Sequence, residues 1–241
     1  SIWNGLNGAL CLSLALTAAA TSVPVALVAT IIEFGPTADF LPRAVSSAVW
    51  GTSVGKCLNG FCTDMVGARR TSVLYATMLA VSLIRLALAT TPEQAIWACF
   101  WTEFCASVQW PAAIATLATH YRGHGSMYEG GIYLAALASR VGSLAGIVGS
   151  SFLLHMNLHW RAIAAIGAYM SLQAAAAIYL YGWDAPSQRN QPQNPIDPTA
   201  WRHYQSIKAQ NRHLQPQSGI IKHPYFEWLA FLLSTMIWPS M

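Results

Sequence analysis

From Gly8 to Ile32 the chain runs for 25 residues without a charge. A helix rises about 1.5 Å per residue, so roughly 20 apolar residues cross the hydrocarbon core of a bilayer, and a helix in a soluble core rarely runs so long. Similar stretches recur at about 43–62, 72–89, 95–118, 129–154 and 160–182, each broken by few or no charges, and a seventh opens near Tyr225. Only 9% of the residues are charged while 54% are hydrophobic, against roughly 25% charged in a soluble domain. The runs are continuous and rich in Ala and Leu, without the alternation of a transmembrane barrel. The expected fold class is an all-α membrane protein. It comprises a six-helix transmembrane bundle over 1–182, a cytoplasmic linker over 183–223, and over 224–241 the start of a seventh helix, cut short. Because the chain opens on Ser1 and stops inside that helix, it reads as a fragment. The first run is too long for a cleaved signal peptide and has no basic leader.

The basic residues orient the bundle. With the N-terminus inside, the loops after spans two, four and six carry Arg69, Arg70, Arg122, Arg189, Arg202, Lys208, Arg212 and Lys222, while the opposite loops carry only Arg43 and Arg161. Eight against two satisfies the positive-inside rule. The polar stretch from Trp183 to His223, with QRNQPQNPIDP at 188–198, cannot bury enough apolar surface to offset chain entropy and reads as a solvated linker. Its segment 201–214 has the makings of a short surface helix.

The loop between spans two and three reads GFCTDMVGARR at 60–70. Gly60 admits a neighbouring helix, Asp64 accepts hydrogen bonds near a helix end, Gly67 permits a tight turn, and Arg69 and Arg70 anchor the cytoplasmic face. This spacing resembles the cytoplasmic signature of the major facilitator superfamily. Upstream, GTSVGKCLNG at 51–60 is similar to the second helix of organophosphate:phosphate antiporters and related organic anion transporters, Lys56 falling on a lysine there. QWPAA at 109–113 resembles their Gly-Trp-Pro segment, and SRVGSLAGIVG at 139–149 fits their fifth span. The resemblance covers residues 8–182 and implies the N-terminal half of a twelve-helix transporter, whose partner is the missing C-terminal six-helix half. It implies that residues 60–70 form a conformational latch between the halves, made of Gly60, Asp64, Gly67, Arg69 and Arg70. One departure is plain. Where those antiporters hold phosphate with an arginine on the first helix, near Thr21 here, AAATSVPV at 18–25 has no cation.

Four ionisable residues lie inside spans: Lys56, Arg85, Glu103 and Arg140. A charge at the bilayer centre costs about 2.5–3.5 kcal/mol on insertion scales, so such residues are functional candidates. Arg85 lies near the outer end of span three, where its stem can carry the charge to the interface. With spans four and five antiparallel, Glu103 and Arg140 fall within about 7 Å in depth. A Glu103–Arg140 pair is expected, either as a structural ion pair or as a gate and coupling site on the central cavity. Gln109 and Trp110, beside Pro111, join Lys56, Glu103 and Arg140 as candidate substrate or coupling residues. Gly142 and Gly146 have the spacing for close helix contact, with Gly149 extending the stripe. Pro24 and Pro111 interrupt main-chain bonding in spans one and four.

The five cysteines, Cys11, Cys57, Cys62, Cys99 and Cys105, fall within or at the ends of spans and read as packing residues. His120 and His124 flank Arg122, and His155 and His159 bracket an outer turn; none makes a metal constellation. No nucleophile with a base, phosphate loop or nucleic-acid surface is present, so neither an enzyme nor a cofactor is expected. The expected function is secondary transport of a small organic anion, possible as exchange or symport, by alternating access with the site near the bilayer midplane. The rival is a non-transporting, facilitator-like subunit or scaffold in a larger assembly.

Overall fold

A computed structural model describes residues 5–28, 40–121 and 125–181. The linker 183–223 and the seventh helix expected from 224 lie outside the described residues. Seven helices and no strand occur among those described: α1 (Gly5–Val28), α2 (Phe40–Val66), α3 (Ala68–Leu88), α4 (Pro92–Ala106), α5 (Gln109–His120), α6 (Gly125–His155) and α7 (Trp160–Tyr181). They form an all-α bundle.

The fourth expected span, 95–118, is two helices rather than one. Pro111 has no N–H to offer the carbonyl of Ser107, and its ring crowds that carbonyl, so the ladder breaks one turn upstream. The break falls at Ser107 and Val108, between α4 and α5. At the other end of α4, Thr91 caps the helix by accepting from the Gln94 amide at 3.4 Å, with Pro92 at the first helical position. Between α2 and α3 the chain turns on Gly67, whose φ of 95° lies in the region only glycine enters freely.

Helices α3 and α7 form the buried centre. Tyr75, Leu79, Leu83 and Leu86, three or four residues apart, are fully buried on α3, and α7 meets them with small residues such as Ala164, Ala168 and Ser171. Ser171 Oγ donates to the Ala76 carbonyl at 2.7 Å. Each helix also closes the other's end. Arg69, in the first turn of α3, donates to the Tyr179 carbonyl in the last turn of α7 at 2.6 Å, and its guanidinium lies 5.7 Å from the Tyr179 ring. Arg161, in the first turn of α7, donates to the carbonyl of Ala89, the C-cap of α3, at 3.2 Å. Carbonyls in a last helical turn lack intrahelical donors, and a cation there also meets the negative end of the dipole.

The outer helices pack in a matching pattern. Helix α6 lies on α1, and α2 lies on α4. Gly142 and Gly146 make the first contact, since a Cβ at either would strike the backbone of Ala15 or Ala19. The close packing expected of that stripe is what the geometry has. Gly51 and Gly55 make the second, against the backbone of Phe100 and Phe104. Each glycine of the second pair precedes its counterpart by 91 residues (142 − 51 and 146 − 55). The two contacts thus repeat one glycine pattern, each joining a helix of α1–α3 to a helix of α4–α7.

Candidate functional site

Helix α2 brings one register to α4: Gly51, Gly55, Asn59 and Thr63, every fourth residue, all buried. With no side chain at Gly51 and Gly55 the helices approach closely, and Asn59 then reaches the broken turn. Its Nδ2 donates to the Phe104 carbonyl at 2.8 Å and to Ser107 Oγ at 2.7 Å. Ser107 Oγ donates to the same carbonyl at 2.8 Å. Asn59 thus adds a second side-chain donor to the Phe104 carbonyl, beside Ser107 Oγ, and ties α2 to the broken turn. Ser47 Oγ adds a bond to the Ile96 carbonyl at 2.8 Å, nearer the N-terminal end of α2 on the same interface.

Glu103 stands beside this seam. Its Oε2 accepts from Thr52 Oγ1 at 3.0 Å, and the single Thr52 proton is shared with the Ala48 carbonyl at 3.2 Å. Lys56 follows Thr52 by one helical turn without reaching ion-pair distance of the Glu103 carboxylate; the ion pair among the described residues is Arg43–Glu93, 2.8 Å apart. Between α1, α2 and α4 runs a groove of about 320 Å³ whose walls include Pro24, Val45, Val49, Thr52, Cys99 and Glu103. Pro24, expected to disturb the first span, therefore contributes to the wall of a cavity.

The other candidates are placed differently. Arg140 is exposed on α6 and makes no ion pair with Glu103; α4 packs on α2 and α3, whereas α6 packs on α1. Matching depth is not sufficient when the two helices are not neighbours, and the expected pair is not formed. Gln109 is buried, and its Nε2 donates to the Ser72 carbonyl at 3.3 Å, tying α5 to α3 instead of facing a ligand. Trp110 beside it is 38% exposed. Arg85 is half-buried in the last turn of α3.

The loop expected at 60–70 is reduced to one residue: α2 runs to Val66 and α3 starts at Ala68, so Gly67 alone makes the turn, and Arg69 makes the interhelical bond already described. Asp64 and Arg70 are exposed. Gly60 corrects the sequence reading: a Cβ there would meet nothing within 4 Å, and the close approach is made at Gly55 and Gly51 instead. Thr52 and Asn59 were not singled out from the sequence. The signal for Asn59 was its place in the four-residue register of Gly51 and Gly55; Thr52 had none.

Four helices are long and apolar enough to cross a membrane by length and composition: Leu6–Pro24, Ala68–Leu88, Met127–His155 and Trp160–Tyr181. The family model of the Major Facilitator Superfamily matches residues 9–241. The chain belongs to this superfamily. Its members are membrane transporters, and the apolar helices fit a protein embedded in a bilayer. No curated protein matches the chain. The match is to the superfamily as a whole and lends no support to the narrower likeness to organophosphate antiporters. Thr21, near which the arginine of those antiporters was expected and is missing, donates its hydroxyl to the Ala18 carbonyl at 3.0 Å.

Proposed function

We propose that this chain forms the first six spans of a secondary transporter that moves a small organic anion by alternating access, α4 and α5 together making one broken span. The observation that carries the reading is a pair of cations, Lys56 and Arg140, each exposed well inside a helix and neither in an ion pair among the described residues. Lys56 lies about 15 Å from the cytoplasmic end of α2, and Arg140 about 22 Å from the start of α6. A lone cation at such depth is costly unless it faces water or an anion. Residues 60–70 act as the latch of the cytoplasmic side, and the second half of the transporter supplies the opposite wall.

The test is uptake of labelled carboxylates and phosphate esters by the full-length protein in proteoliposomes. Lys56→Gln and Arg140→Gln should each lower uptake about tenfold or more, the worth of a charge-assisted hydrogen bond. Uptake by both variants at the unaltered rate would overturn the reading.

A further inference from the structure

The groove beside Glu103 has a charge pattern that a simple anion does not use. Thr52 takes one carboxylate oxygen, and the other has no hydrogen-bond or ion-pair partner among the described residues. A carboxylate offers about four lone-pair sites, and one shared hydroxyl proton satisfies little of that capacity. Around it the walls are apolar, with Pro24, Leu41, Val45 and Val49 among them. One turn toward the cytoplasm, about 6 Å along α2, stands Lys56.

We propose that the substrate is amphoteric: a zwitterion with an aliphatic body, its anionic end drawn to Lys56 and its ammonium held by Glu103. This rests on the transport reading above and amends its substrate: the anionic group stays with Lys56, and an ammonium on the same molecule joins it. An ammonium brings three donors and a full positive charge to the open carboxylate oxygen. The aliphatic body lies against the valines, and about 320 Å³ is at the small end of the range for ligand pockets. The two protein charges also reject alternatives. A dianion places its second negative group against Glu103, and a simple amine faces Lys56 with nothing to offer it, so selectivity comes from repulsion as well as attraction.

Three probes with the same branched body separate these cases: L-leucine as the zwitterion, 4-methylpentanoate as the anion and 3-methylbutylamine as the cation. Binding to the purified full-length protein should favour leucine over each of the others by about tenfold or more, as expected for hydrogen bonds to a charged group. Glu103→Gln should remove that preference by weakening leucine alone, leaving 4-methylpentanoate unchanged or tighter, while Glu103→Asp, which keeps the charge, should retain much of it. Lys56→Gln should weaken both acids. Leucine binding no tighter than 4-methylpentanoate, binding of neither included, overturns the proposal, as does an equal loss of both probes in Glu103→Gln. Undiminished 4-methylpentanoate binding in Lys56→Gln counts instead against the anion reading on which the proposal rests.

Discussion

The contact of α2 with α4 and that of α6 with α1 start from one plan, two glycines four residues apart set against a neighbour's backbone. They are completed differently. Below its glycines the first carries Asn59, bonded across to Phe104 and Ser107, and Thr52 on the same helix reaches Glu103. The register of the second continues to Ser150, buried, and its next glycine, Gly149, has open space around it. Close packing is thus common to both contacts, whereas the polar seam and its carboxylate belong to one. In a bilayer, close packing supplies dispersion energy to any helix pair, but a polar group must find a partner. The contact with the seam is where a functional group can be held at depth.

The largest effect should come from filling the shared element. Gly51→Val and Gly142→Val each drive a side chain into backbone that cannot rotate away, at a cost of about 3 kcal/mol or more. Thermal unfolding in detergent, followed by size-exclusion chromatography, should show both variants badly destabilised. If only one is, the two contacts are not equivalent even as packing.

Asn59→Leu attacks what differs. It should cost about 1–2 kcal/mol, since interhelical hydrogen bonds in membranes are worth that at most and the Phe104 carbonyl keeps Ser107 Oγ as a donor. Reversible unfolding in mixed micelles would measure it, and a cost near zero would mean that the break stands without α2.

A smaller term separates two possible partners of Glu103. A double-mutant cycle on Thr52→Val and Glu103→Gln should give a coupling of about 1 kcal/mol, while the cycle on Glu103→Gln and Arg140→Gln should be additive within about 0.5 kcal/mol. Strong coupling to Arg140 would show that another conformation brings α4 and α6 together.

Smallest of all, Gly60→Ala and Gly149→Ala should change stability by less than about 1 kcal/mol, with a slight gain from helix propensity. Melting temperatures below that of the parent would reveal a neighbour at either position.

Much of this organisation was open to reading from the chain. The uncharged run at 8–32 and its successors gave the helices, because lipid tolerates no other continuous apolar element here. Gly142 and Gly146 announced their contact through spacing, and Pro111 announced a disturbance whose position, one turn earlier, follows from which carbonyl a proline deprives. The same spacing at Gly51 and Gly55 passed unremarked, although GTSVGKCLN at 51–59 and GSLAGIVGS at 142–150 align glycine on glycine and Asn59 on Ser150. Comparing the chain with itself would have found both contacts. The partner of Glu103 was beyond such reading. Depth along a helix can be counted, but which neighbour a face meets depends on how the helices are arranged around one another.

The reciprocal arginine bonds of α3 and α7 also set an order in time. Arg69 is made 110 residues before the carbonyl it will hold, and Ala89 waits 72 residues for Arg161. Neither bond can form until the last helix of the bundle has left the ribosome and entered the membrane. In the orientation proposed above, Arg69 is a cation at the cytoplasmic interface through synthesis of the intervening helices, where it helps to retain the end of α3 on that side. One residue therefore serves first as a topological signal and later as a fastening, and a chain arrested before Tyr179 would keep the first role without acquiring the second.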